Sequence, residues 1–157
     1  MIRLYGRATP GQRVVDHVPD NYGTNQTIVA ALGLDGLDAP WVVDGTINGE
    51  IFHYWVREVL CPTLQPGDIV LWDNLSAHKG AGVEELLAMR GARLIWLSPY
   101  SPDFNPIEQC WSKIKRCLRR AKARTVEALI EAIKEALDTV TQADIRGWFG
   151  HCGYSIQ

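Results

Sequence analysis

The sequence predicts an α/β fold, a sheet flanked by helices, and three features carry that expectation. Two nearly continuous apolar runs, "DIVLW" and "ARLIWL", are joined by an amphipathic segment; the first third is β-rich with turn signals; the second half is dominated by amphipathic periodicity near 3.6. At 157 residues the chain has room for one domain with a real core, so a single domain over 1–157 is expected.

Along the chain, Pro10-Gly11 signals a turn before "QRVVDHV", "TIVAALGL" follows, Asp35-Gly36 turns the chain again, and "PWVVDG" closes what reads as a meander of short strands. From Asn48 the pattern becomes helical, with Ile51, Trp55, Val59 and Phe52, Val56 at helical spacing until "CPTLQPGD" stops it. The runs "DIVLW" and "ARLIWL" flank "GVEELLAMRG", whose Val83, Leu86 and Leu87 form a helical face ending at Gly91. Strands apolar on both faces and joined through a helix are expected to be parallel neighbours in a covered sheet.

Asn105 suits an N-cap and Pro106 the first helical position, after which Ile107, Cys110, Trp111, Ile114, Cys117, Leu118 and Ala121 form one apolar stripe expected to face the sheet. Glu108 falls just off that stripe, in a row with Lys115, Arg119 and Lys122. Thr125 then caps a further amphipathic helix, and "DIRGWFGHCGY" reads as a short closing helix and tail. The six tryptophans fall mostly in apolar runs, so packing outweighs base stacking for them.

The composition excludes several classes. No run of apolar residues is long enough for a membrane span, and Met1 leads into "IRLYGRATPGQRVV" with no secretion signal, so the cytoplasm is the expected location and no membrane partner is expected. Cys61, Cys110, Cys117 and Cys152 lack zinc-site spacing and read as reduced thiols. The net charge of −2 conceals an asymmetry: seven of the sixteen basic residues lie between Lys113 and Arg124, with no acid among them. Such a run is either a solvated helix face or a track for phosphates.

Two acids are candidates for chemistry. Asp73 follows an apolar strand, where open α/β sheets place their sites, although an aspartate there is also ordinary turn chemistry. Glu108 occupies the third helical position after Asn105, where a glutamate can simply close a capping box. A right-handed strand–helix–strand–helix unit can nevertheless bring both to one sheet edge, with 34 residues between them. Paired carboxylates suit a hard cation such as Mg²⁺. Tyr100 and Phe104 lie in a proline-stiffened loop beside this edge, where contact with a frayed nucleotide is one reading.

The stretches "VLWDNLSAHK" and "SPYSPDFNPIEQCWSKIK", at that spacing, resemble the catalytic domain of mariner-type bacterial insertion-sequence transposases, members of the DDE superfamily. The resemblance runs from "RLYGRATPGQR" to "GWFGHCGY". It implies a ribonuclease H-like mixed sheet flanked by helices and a metal-dependent DNA cut-and-join reaction using Mg²⁺ or Mn²⁺. Asp73 would be the second catalytic acid and Glu108 the third, both as metal ligands, with Asn74 and His78 bordering the site and Lys115, Arg119 and Lys122 contacting DNA. The first catalytic aspartate of such proteins lies on a first, central strand in a "DE-S/T-G" segment ahead of the "RLYGRA" region, so this chain is expected to lack that strand, that acid and the preceding DNA-recognition part. Asp16 and Asp44 do not match that motif. The expected partners are transposon-end and target DNA, an upstream segment supplying the first aspartate, and a second copy of the chain. The competing expectation is an inactive remnant that keeps a DNA- or partner-binding surface.

Overall fold

The computed structural model describes residues 5–15, 25–73 and 82–155. Strands β1 (Gln26–Leu32) and β2 (Leu37–Asp44) form an antiparallel hairpin, and β3 (Ile69–Trp72) and β4 (Arg93–Trp96) form a parallel pair. Helices α1 (Gly49–Trp55), α2 (Val83–Met89), α3 (Pro106–Ala121), α4 (Val126–Asp138) and α5 (Gln142–His151) complete the described architecture. Among the described residues the strands are divided between two two-stranded sheets.

The hairpin forms where the turn signal stands: Gly33 N–H donates to the Gly36 carbonyl at 2.8 Å. The register shifts between Val29 and Ala31, and there Ala39 adopts a φ of 53° ahead of Pro40. A proline cannot donate to the ladder, so a bulge is where a strand tolerates one. The bulge also aims the Ala39 carbonyl at the Trp55 indole, which donates to it at 2.9 Å.

Alternation along the hairpin feeds two cores. Val29, Ala31, Ala39 and Trp41 pack with Phe52, Trp55, Val56, Leu60, Trp72, Val83 and Leu87, from α1, α2, β3 and the segment after α1. Ile28, Leu32, Leu37 and Val42 pack from the opposite face with Cys110, Ile114, Leu118, Ile133 and Ala136 of α3 and α4. The hairpin is thus the middle layer of a helix–sheet–helix sandwich, and the apolar stripe of α3 faces it as expected.

Asn48 caps α1 by accepting from the Ile51 N–H at 2.9 Å. Beyond Trp55 the helix widens into a π-helical turn, Val56–Leu60, which the sequence pattern does not announce. This turn places Val56, Leu60 and Cys61 in one core, with each at most 3% exposed. Gly91 ends the α2 segment at a φ of 73°, and a Cβ there would stand 3.1 Å from Pro66 Cβ. Both the left-handed backbone and the close approach require glycine. Among the described residues no helix is long and apolar enough to cross a membrane.

Two local expectations change. Residues 12–15 of "QRVVDHV" are not a strand, and Val14 and Val15 are 48% and 70% exposed; residues 16–18 lie outside the described residues. The Pro10-Gly11 turn does form, with Gln12 N–H donating to Thr9 O, but no strand among the described residues pairs with this segment, and alternation without a ladder leaves valines in solvent. The β3–β4 pair is parallel as expected, yet among the described residues only one of its faces is covered. Val70, Trp72, Leu94 and Trp96 face the core, while Ile69 and Ile95 on the other face are 54% and 37% exposed.

Candidate active site

Asp73 directly follows the last residue of β3 and is half-buried. Beside it, Leu97 N–H donates to the Trp72 carbonyl at 2.7 Å, so the chain leaving β4 starts at the edge where Asp73 sits. This is the carboxyl end of a parallel strand pair, the usual position for chemistry in open sheets. From there residues 97–105 run through a single 3₁₀ turn, Pro102–Phe104, into α3.

The 97–105 connection is held from several sides. Phe104 N–H donates to Ser101 O at 3.2 Å and Asn105 N–H to Pro102 O at 2.9 Å. The Tyr154 hydroxyl, from the tail after α5, donates to the Phe104 carbonyl at 2.8 Å.

Glu108 lies in the first turn of α3 and is exposed. Asn105 is the N-cap residue and Pro106 opens the helix, but the Asn105 side chain makes no capping hydrogen bond. No capping box therefore occupies Glu108. Thr125 caps α4 through Ala128 N–H, and Thr141 with Asp144 forms a full capping box at α5. Among the described residues the Glu108 carboxylate makes no hydrogen bond or ion pair, so no structural partner accounts for it.

Lys115 and Arg119 are exposed on α3 in the row of Glu108. Lys122 departs from that row: it is the C-cap of α3, with a φ of 50°, so helical spacing no longer sets where its side chain points. Lys113, counted in the same cationic run by sequence, is committed elsewhere. Its ammonium donates to the Thr139 carbonyl at 2.6 Å and to Asp144 Oδ2 at 2.5 Å, clipping α3 to the start of α5. Those hydrogen bonds, with others from Thr141, hold the Asp144 carboxyl down at about 2. No sequence spacing signalled this pair, since its partners lie 31 residues apart.

Asn74 and His78 lie outside the described residues, as does Asp16. Asp44 ends β2 and accepts from Gln26 Nε2 at 2.9 Å across the end of the hairpin, which is ordinary strand-end chemistry. Cys61, Cys110 and Cys152 are buried free thiols, and burial pushes Cys110 up to about 11. Trp55 and Trp72 are core residues.

No curated protein matches the chain in sequence. Its fold is similar to the Mos1 strand transfer complex, with a TM-score of 0.72 at 16% identity over 96% of this chain and 46% of that one. A pre-cleavage Mos1 transpososome gives 0.71 at 14% identity over 99% of this chain and 52% of that one, and a Mos1 mariner paired-end complex with Mn gives 0.64 at 15% identity over 94% and 46%. The chain spans about half the length of these structures, and at such identities the likeness establishes a shared ribonuclease H-like α/β fold. The family model described as DDE superfamily endonuclease matches residues 1–130, a span that contains both Asp73 and Glu108. The chain belongs to the DDE superfamily endonucleases.

Proposed function

We propose that this chain carries part of the catalytic centre of a DNA transposase that cuts DNA and joins the freed end to a target. The observation that carries the reading is the relation between its two acids. Asp73 directly follows β3, and the neighbouring strand β4 leads from the same edge into the helix whose first turn bears Glu108, a carboxylate with no capping hydrogen bond.

Asp73 and Glu108 offer hard oxygen donors, which fit a divalent cation that takes few protein ligands and keeps oxygen from water or phosphate as the rest. Among the described residues no group of three or more His, Cys, Asp or Glu gathers for a metal, and Asp73 and Glu108 are the two carboxylates this reading assigns to the cation. A divalent cation bound there would supply Lewis-acid stabilisation of charge on a phosphate. Mg²⁺ or Mn²⁺ suits the donors equally. The solved Mos1 complex with Mn supports metal use by a protein of this fold.

The remaining chemistry belongs to the chain's own groups. Lys115, Arg119 and Lys122 are exposed cations on and just beyond α3 and would hold DNA phosphates. Asn74 and His78 follow Asp73 in the sequence and would border the site. A third acid would come from an upstream strand inserted beside β3. The division of the described strands into two separate pairs supports a place for it. Transposon-end DNA and target DNA are the partners this reading requires, and the Mos1 strand transfer and paired-end complexes support it by fold.

The test is cleavage of labelled transposon-end DNA by the chain supplied with its upstream segment. Asp73→Asn and Glu108→Gln should each reduce cleavage to background while far-UV circular dichroism and melting stay near wild type. Normal cutting by either variant would return that carboxylate to a turn or surface role. No cutting by the complemented wild-type chain, with DNA binding retained, would favour an inactive remnant.

A further inference from the structure

We infer that Tyr100, with Phe104 beside it in the 97–105 connection, is a stacking platform for an unpaired nucleotide of the DNA held at this sheet edge. The inference rests on the DNA reading above and adds to it which state of the DNA end is recognised.

Three non-glycine residues among those described have positive φ: Ala39 at 53°, Tyr100 at 58° and Lys122 at 50°. Two have structural reasons. Ala39 makes the bulge whose carbonyl receives the Trp55 indole, and Lys122 is the left-handed C-cap of α3. Tyr100 has neither. A bulky aromatic in this region is an outlier that surrounding structure must impose. Here Pro99 and Pro102 flank it, Ser101 Oγ donates to Pro99 O, Phe104 N–H returns to Ser101 O, and Tyr154 grips the Phe104 carbonyl.

The strained residue presents its whole side chain to solvent, at 102% exposure, and Phe104 is 57% exposed. An exposed ring on a braced loop gains nothing for the fold, yet it is what an unpaired base needs: a rigid apolar face with little conformational entropy to lose. The position suits the site. Three residue steps, at most about 11 Å, separate Tyr100 from Leu97, which is bonded to the carbonyl just before Asp73. Past the loop, α3 exposes Lys115, Arg116, Arg119 and Arg120 for the backbone of the same strand. Duplex bases are already stacked, so a single ring platform selects nucleotides that have left the helix.

The experiment is fluorescence anisotropy of the full chain with two probes, a blunt duplex and the same duplex ending in a short single-stranded tail, across a salt series. Tyr100→Asn removes the ring while suiting the left-handed backbone, and Tyr100→Phe keeps the ring. The expected result is about a tenfold loss of affinity for the tailed probe in Tyr100→Asn. Its blunt-duplex affinity and salt slope should be unchanged, Tyr100→Phe should match wild type on both probes, and the melting temperature of Tyr100→Asn should be at or above wild type. Wild-type affinity of Tyr100→Asn for the tailed probe, or an equal loss on both probes, overturns the inference and leaves the DNA reading standing. Salt-insensitive or absent binding of both probes by the wild-type chain overturns the DNA reading and the platform with it.

Discussion

Replacing Asp144 with asparagine tests the clip that seats α3 against α5. Its Oδ2 accepts from Lys113 Nζ at 2.5 Å, from Thr141 N–H at 2.9 Å and from the Thr141 hydroxyl at 2.6 Å. Together these lower the carboxyl from 3.8 to about 2, the Lys113 bond contributing most. Taken at face value that shift is worth about 2.4 kcal/mol. The Asp144 and Lys113 side chains retain 28% and 19% of their exposure, so solvent screening reduces the expected contribution to about 1–2 kcal/mol. The folded pKa lies below the unfolded one, so the stabilisation is complete above the unfolded value and disappears as pH falls through the folded value. Urea unfolding of wild type and Asp144→Asn should therefore differ by about 1–2 kcal/mol near neutral pH, and the gap should close between about pH 4 and pH 2. A gap that persists unchanged at the acid end, or none at neutral pH, would refute the assignment of stability to this carboxylate.

Gly91→Ala should destabilise the fold by about 1–3 kcal/mol in the same assay, because φ is 73° there and Pro66 blocks the new Cβ. Trp55→Phe should cost about 1–3 kcal/mol by leaving the buried Ala39 carbonyl without its donor. Replacing Lys115, Arg119 and Lys122 together by glutamine should flatten the salt dependence of duplex binding by about two to three counterions, and an unchanged slope would make this a solvated face. In hydrogen exchange, the amides of β3, which has one ladder partner among the described residues, should exchange faster than those of Cys110, Ile114 and Leu118 inside α3. Equal protection would show that β3 is paired on both sides.

How far the fold is legible in the sequence depends on whether the signal is local. The turn at Asp35-Gly36, the start of α1 after Asn48 and the Thr125 cap rest on neighbouring residues, and each forms; the parallel pairing of β3 and β4 follows from two apolar runs joined through a helix, and it forms too. The apolar stripe of α3 is equally local, and its buried members are Cys110, Ile114 and Leu118 as the spacing requires. What pattern could not supply depends on distant partners. "QRVVDHV" has strand composition, but among the described residues Val14 and Val15 meet no ladder. The π-helical turn after Trp55 packs against α2, where Cys61 Sγ lies 3.7 Å from the Leu86 carbonyl across 25 residues of sequence. Lys113 looks like any other member of a basic run until Thr139 and Asp144 arrive from a later helix.

The site shows the same division with a different consequence. In the sequence Glu108 has two competing explanations, because the third position after an asparagine N-cap is where a glutamate stabilises a helix whether or not it has another task. The structure removes the capping-box explanation at Asn105. Its backbone has extended geometry, φ −110° and ψ 99°, and its side chain accepts no bond from the first turn, whereas Asn48, Thr125 and Thr141 all do so at their own helices. Both halves of the capping box are absent, since Asn105 N–H donates to Pro102 O instead, so Glu108 gains at most the interaction of an exposed carboxylate with a helix dipole, a few tenths to about 1 kcal/mol. Pro106 fixes the first turn without needing a cap, which lets α3 begin at the end of a braced loop and leaves the Glu108 carboxylate uncommitted.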